Sequence, residues 1–202
     1  MSLVETTTVT CIVEGDGEVS ALPVLLRRIC AWQTPDLHIE INFPIRVRRD
    51  KFLNKDDEFR RHILLARHKS GPNGWILILL DADDDCPAEL AVDITDRAKK
   101  IDPLLQVAVV LANREYEAWF IAAATSLNGH RGFTLAAGDH VPDAELRRDA
   151  KGWVRERMPR GAYRETSDQA AFSAVLSLGQ THENSRSFRK LCAEWTKHCN
   201  RN

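Results

Sequence analysis

Acidic residues recur in this chain directly after short apolar runs. Glu14, Asp16 and Glu18 follow "TVTCIV", Asp81 and Asp83 follow "WILILL", and Glu115 comes just after "LLQVAVVLAN". Short apolar or β-branched runs of this kind read as buried strands, so these carboxylates are expected where strands end. In an open α/β sheet, ligands collect at the carboxyl ends of the strands. Asp81 and Asp83 are two residues apart; in an extended chain both side chains leave the same face, roughly 7 Å apart by strand rise. Like charges that close are unfavourable unless a cation lies between them or one carries a proton. Oxygen ligands at a strand end suit Mg²⁺ or Mn²⁺ better than zinc, and no Cys or His cluster accompanies them. An isolated "DADDD" would be a solvated turn. Glu14 on a neighbouring strand end weighs against that, while Asp84 and Asp85 read as turn and N-cap residues.

The turn after the first strand, "EGDGE", lies where a phosphate-cradling loop would sit. Its spacing Gly15–x–Gly17–x–x–Ser20 is a near miss for the dinucleotide fingerprint, with serine for the third glycine. Three carboxylates beside the turn would repel a bare phosphate. With a metal ion between them, carboxylate and phosphate become partners. The glycines are expected to supply unusual backbone angles and room for a substrate to approach.

The elements around these acids alternate strand and helix four times up to residue 128, which predicts a parallel sheet covered on both faces. "EVSALPVLLRRICAW" reads as a helix with Pro23 near its first turn, and "LHIEINFPI" as a second strand ended by Pro44. "KDDEFRRHILLARHK" and "PAELAVDITDRAKKI" read as helices, as does "REYEAWFIAAATSL". Residues 129–202 change character and are expected to form a helical extension packed on the core. It comprises a basic helix from Pro142 to Met158, a short one at "QAAFSAVLSL" and a last one capped by Ser185 or Ser187.

At 202 residues and net charge −1, composition neither demands nor excludes a nucleic-acid partner. The distribution of charge is more telling: acids sit at strand ends and bases in flanking runs such as "RVRRDK". Arg46, Arg48, Arg114, Lys151 and Arg155 are the candidate contacts to a phosphate backbone. Five irregularly spaced cysteines suit a reducing cytoplasm. No secretory signal and no membrane-length apolar run is evident.

Glu14–Gly15–Asp16–Gly17–Glu18 after a first strand, with Asp81–Ala82–Asp83 after a later hydrophobic strand, resembles the EGxxE and DxD signatures of Toprim domains. "NREYEAWFIA" and "YRETSDQAAF…SRSF" resemble a bacterial family of Toprim-like proteins of unassigned function. The resemblance implies a Rossmann-like Toprim fold with a mainly parallel four-stranded sheet, and Mg²⁺- or Mn²⁺-dependent cleavage of DNA or RNA. Carried over, Glu14, Asp81 and Asp83 would be catalytic, and Glu18 and Glu115 would join them as metal ligands, Glu115 by analogy with nucleases of the OLD type. It also implies a separately encoded ATPase as partner in defence against phage or plasmid, and leaves homo-oligomers open. Two other readings compete. One is a HAD-like phosphatase with Asp81 as nucleophile; the other is a non-catalytic Toprim scaffold that binds an ATPase or nucleic acid.

Overall fold

Every residue from Val9 to Val13 is buried, which marks a strand covered on both faces. The computed structural model describes residues 6–200. Strand β1 (Thr7–Val13) pairs in parallel with β4 (Trp75–Asp81) on one side. On its other side it pairs with β2 (Ile39–Ile41) and then β3 (Ile45–Arg46). Strand β5 (Val107–Ala112) pairs in parallel with β4, giving the order β2-β1-β4-β5 with β3 beside β1. The segment read as one second strand is therefore two short pieces in line, separated by Asn42, Phe43 and Pro44. Pro44 has no N–H to give the ladder.

The chain leaves β1 through α1 (Asp16–Gln33) toward β2, then returns through α2 (Arg49–Asn54) and α3 (Asp56–Ser70) to β4 on the opposite side of β1. Strand order thus reverses between β1 and β4, and the crevice at such a reversal is where α/β sheets bind ligands. Helix α4 (Pro87–Ile101) links β4 to β5. The architecture is an α/β, Rossmann-like fold with a parallel sheet between helices.

Side-chain alternation along β4 sorts the core into two layers. Ile76, Ile78 and Leu80 pack with Phe59 and Ile63 of α3 and Ile94 of α4. Trp75, Leu77 and Leu79 pack with Leu22, Leu25 and Leu26 of α1 and with the C-terminal helices. Asp81 continues the second series, so the strand itself aims it at the α1 side.

Beyond β5 come α5 (Ala118–Ala122), α6 (Ala124–Leu127), α7 (Ala150–Glu156), a single π-helical turn at Glu165–Gln169, α8 (Ala170–Ser173), α9 (Leu178–Asn184) and α10 (Arg186–Cys199). The π-helical turn and α8 pack on α1, and α10 packs on β5. Phe133, Trp153, Phe172, Phe188 and Trp195 belong to the same hydrophobic cluster as α1, so residues 129–200 complete one layer of the core. Among the described residues no helix is long and apolar enough to cross a membrane.

Several local expectations are corrected. Pro23 lies well inside α1, where it removes one helical hydrogen bond. The basic helix expected from Pro142 begins only at Ala150, where the Asp149 carboxylate accepts the Gly152 N–H at 2.8 Å and sets the N-cap. The helix expected from Arg114 begins at Ala118, because Arg114 has φ +67°. Of the two serines proposed to cap the last helix, Ser185 does so, its hydroxyl accepting the Phe188 N–H at 3.1 Å.

Candidate active site

Glu14 is the first residue past β1, and Gly15 is the N-cap of α1. Three residues on, the Glu18 carboxylate folds back to accept the Gly15 N–H at 2.5 Å, satisfying one of the donors that a helix start leaves open. Asp16 and Glu18 in the first turn also suit the positive end of the helix dipole. The acidic turn is thus locally stable as a helix start, whatever else it binds.

Neither glycine here takes a left-handed conformation: Gly15 has φ −93°, and Gly17 is not among the positive-φ residues. They are needed for space. A Cβ on Gly15 would run into the Glu18 carboxylate. One on Gly17 would run into the Gln169 side chain and the Glu165 carbonyl of the π-helical turn. The room expected for a substrate is filled by Glu18 at Gly15 and by the protein's own C-terminal segment at Gly17.

At the end of β4 the chain does not stay extended. Asp81 is the last strand residue, and Asp83 takes φ +50°. The extended-strand spacing of the two aspartates therefore does not hold. The Asp83 N–H donates to the Arg114 carbonyl at 3.1 Å, and Arg114 is itself left-handed. Two non-glycine residues in this uncommon region, facing each other at the sheet's carboxyl edge, are local strain of the kind that concentrates at functional sites. Asp84 and Asp85 are ion-pair partners instead of a cap: Asp84 meets Arg114 at 2.9 Å and Arg148 at 3.0 Å. Asp85 meets Arg49 at 2.5 Å, and the N-cap of α4 is Cys86.

Asp81 is the electrostatic centre. Its carboxyl is pushed well above the ordinary range by burial first, then by the charges of Glu18, Glu117, Glu14 and Asp83. Glu14 is also raised, by burial and then by Asp83, with Arg49 and Lys151 opposing. Its Oε2 is buried without a hydrogen-bond partner. Glu18 is raised by burial against the opposing Gly15 N–H, with Glu117 and Glu14 adding to the rise.

Two members of this group were not singled out from the sequence. Glu117 is 1% exposed, and one of its oxygens accepts both the Tyr163 hydroxyl at 2.8 Å and the Gln169 amide at 2.9 Å. Burial raises its pKa, while those two hydrogen bonds and Lys151 lower it. The available signal was an acid inside the otherwise apolar run "YEAWFIA", since charged residues are rarely fully buried without partners. Arg49 reaches in from the start of α2, donating to the Asp81 carbonyl at 3.2 Å and lying 3.5 Å from Asp83. With Arg114 and Arg148, it is one of the cations that hold the β4 loop.

The other sequence candidates are spread around this group. Glu115 accepts the Lys151 N–H at 2.8 Å and, with Asp83, Asp84, Arg114 and Arg148, lines a cavity of about 150 Å³. The Lys151 ammonium meets Glu165 at 2.8 Å. Burial works against its charge, yet Glu165, Glu117 and Glu115 hold its pKa above the usual lysine value. Arg46 sits 3.1 Å from Asp16, Arg48 is exposed, and Arg155 is exposed on α7.

The donor set suits a hard divalent cation: oxygens only, one of them buried and orphaned, with mutual repulsion that a cation would relieve. Among the described residues no three His, Cys, Asp or Glu side chains form a ready-made ligand group. Binding a cation here therefore requires these carboxylates to rotate toward one another.

A family model described as a domain of unknown function (DUF4276) matches residues 13–194, from the end of β1 into α10. No curated protein and no solved structure matches the chain.

Proposed function

We propose that this chain, which belongs to the DUF4276 family, is a divalent-metal-dependent phosphodiesterase of the Toprim type that cleaves nucleic acid. One observation carries the reading. Three segments, the β1–α1 turn with Glu14 and Glu18, the end of β4 with Asp81, and the start of α5 with Glu117, bring acids together at the crevice where strand order reverses, and the other three all raise Asp81. So much repulsion at a ligand-binding edge is what a cation site looks like before its cation arrives.

Glu14, Asp81 and Asp83 would hold Mg²⁺ or Mn²⁺, which supplies an activated water and charge for the leaving oxygen. The chain's own groups do the rest. Glu14, with its raised pKa, takes a proton more readily than an ordinary carboxylate and suits acid–base work. Arg49 fixes the loop that carries Asp83. Tyr163 and Gln169 hold the Glu117 carboxylate in place. Lys151 places a positive charge beside the acids, where negative charge develops as a phosphodiester is attacked.

Plasmid, single-stranded DNA and tRNA, each incubated with Mn²⁺ or with EDTA, test this directly. Cleavage by the wild type in Mn²⁺, lost in EDTA and reduced at least about 100-fold in Glu14→Ala and Asp83→Ala, is the expected result. Cutting that persists equally in both variants would assign the activity to a contaminant. Cation binding without cutting would leave a scaffold that recruits an ATPase or nucleic acid.

A further inference from the structure

We propose that the basic pocket beside the acidic turn binds a phosphoryl group of the substrate adjacent to the one attacked; this rests on the phosphodiesterase reading above. Strand register brings the two features together. Arg46 pairs with Val13, the residue before Glu14, so the chain leaving β3 runs alongside the chain leaving β1. Arg49 turns into the acid group, whereas Arg46 and Arg48 stay exposed. Arg46 joins the two regions, with its Nε 3.1 Å from Asp16 and 3.3 Å from the Glu14 carbonyl.

A cavity of about 240 Å³ opens there, lined by Arg46, Arg48, Lys51 and Arg61 together with Glu58 and His62. Its lining thus carries four cations and one carboxylate, with Asp16 and Asp50 meeting Arg46 and Arg48 from outside it. Glu58 is engaged by Arg61 at 2.7 Å. His62 donates its Nδ1–H to the Glu58 carbonyl at 2.7 Å, and its ring adds no negative charge to the pocket. The Lys51 ammonium has no hydrogen-bond or ion-pair partner among the described residues, and the Arg48 guanidinium meets only Asp50, at 3.7 Å. Unmatched positive charge in a concave site beside a cleavage centre is complementary to a phosphate, which arginine grips with its planar fork and lysine with a point charge. The phosphate can be a strand terminus or an internal phosphodiester; the chemistry is shared.

The test measures binding separately from cutting. Fluorescence anisotropy is followed in Mg²⁺ and in EDTA with short labelled single strands carrying a 5′-phosphate, a 3′-phosphate or hydroxyl ends. The proteins are wild type, Lys51→Ala/Arg61→Ala, and Lys99→Ala on α4 as control. The double variant should bind about tenfold more weakly, with the slope of log K against log salt smaller in magnitude by roughly 1.4, about 0.7 per lost contact to a single strand. Lys99→Ala should match the wild type. A preference for one phosphorylated end that vanishes in the double variant assigns the pocket to a terminal phosphate, and a loss independent of the ends assigns it to an internal one. Unchanged affinity and salt dependence in the double variant would overturn the proposal, as would a wild type that binds none of the strands. Weakened binding without metal-dependent cutting would keep the pocket and remove the nuclease. Cutting with intact binding in the double variant would do the reverse.

Discussion

Asp81 carries the cost of this site most directly. Its carboxyl is raised in the folded chain by burial and by four neighbouring acids, so the folded state binds its proton more tightly than the unfolded state does. By linkage, the stability it contributes is fully present below the ordinary carboxylate pKa and is lost as pH rises through the raised folded value. Without metal, the fold should therefore be more stable in mild acid than at neutral pH, and Glu14 and Glu18 push the same way. Asp81→Asn, which removes the charge but keeps the shape, should stabilise the metal-free protein at neutral pH by on the order of 1–2 kcal/mol while abolishing the proposed cleavage. Thermal unfolding across pH, in EDTA and in Mg²⁺, checks this. A variant with a lower midpoint than the wild type at neutral pH would mean that Asp81 makes a stabilising contact outweighing the repulsion.

The β1–α1 turn shows the same logic for an element. Its helix start is self-sufficient, capped by Glu18 on Gly15, yet its position is set by the π-helical turn at Glu165–Gln169, which presses on Gly17. π-helical turns often mark functional sites, and this one presents Gln169 to both Gly17 and Glu117. Gly17→Ala should cost about 1–3 kcal/mol by overpacking, because the obstruction includes the Glu165 backbone carbonyl, which cannot swing away. Gln169→Ala in the same chain should recover only part of the loss. Urea denaturation of the single and double variants reads this coupling, and full recovery would show that the side chain alone sets the limit.

At the scale of the whole molecule, the C-terminal third completes the core as well as the candidate site. It supplies Lys151, Tyr163 and Gln169 to the site, and with Phe172, Phe188 and Trp195 it covers the α1 side of the sheet. A chain ending at residue 128 would leave that layer open. It should fail to fold on its own, showing rapid proteolysis and a collapsed amide NMR spectrum. A well-dispersed spectrum would show instead that the α/β part is autonomous.

The strand-end acids, the parallel sheet and the helix starts at Asp56, Pro87 and Arg186 were legible in the sequence because each is a local property. Apolar runs, alternation and capping residues act within a few positions of themselves, and so Glu14 and Asp81 could be placed from the runs that precede them. Tertiary packing alone decided which acids meet. Glu117 and Arg49 enter the group through contacts with segments 30 or more residues away, Arg49 with Asp81 and Glu117 with Tyr163. Glu117 acts on Asp81 whereas Glu115 lines the neighbouring cavity, next to a left-handed Arg114 whose backbone carbonyl holds Asp83. Such choices rest on long-range hydrogen bonds and on space already taken by other side chains, and no local pattern of residues records either.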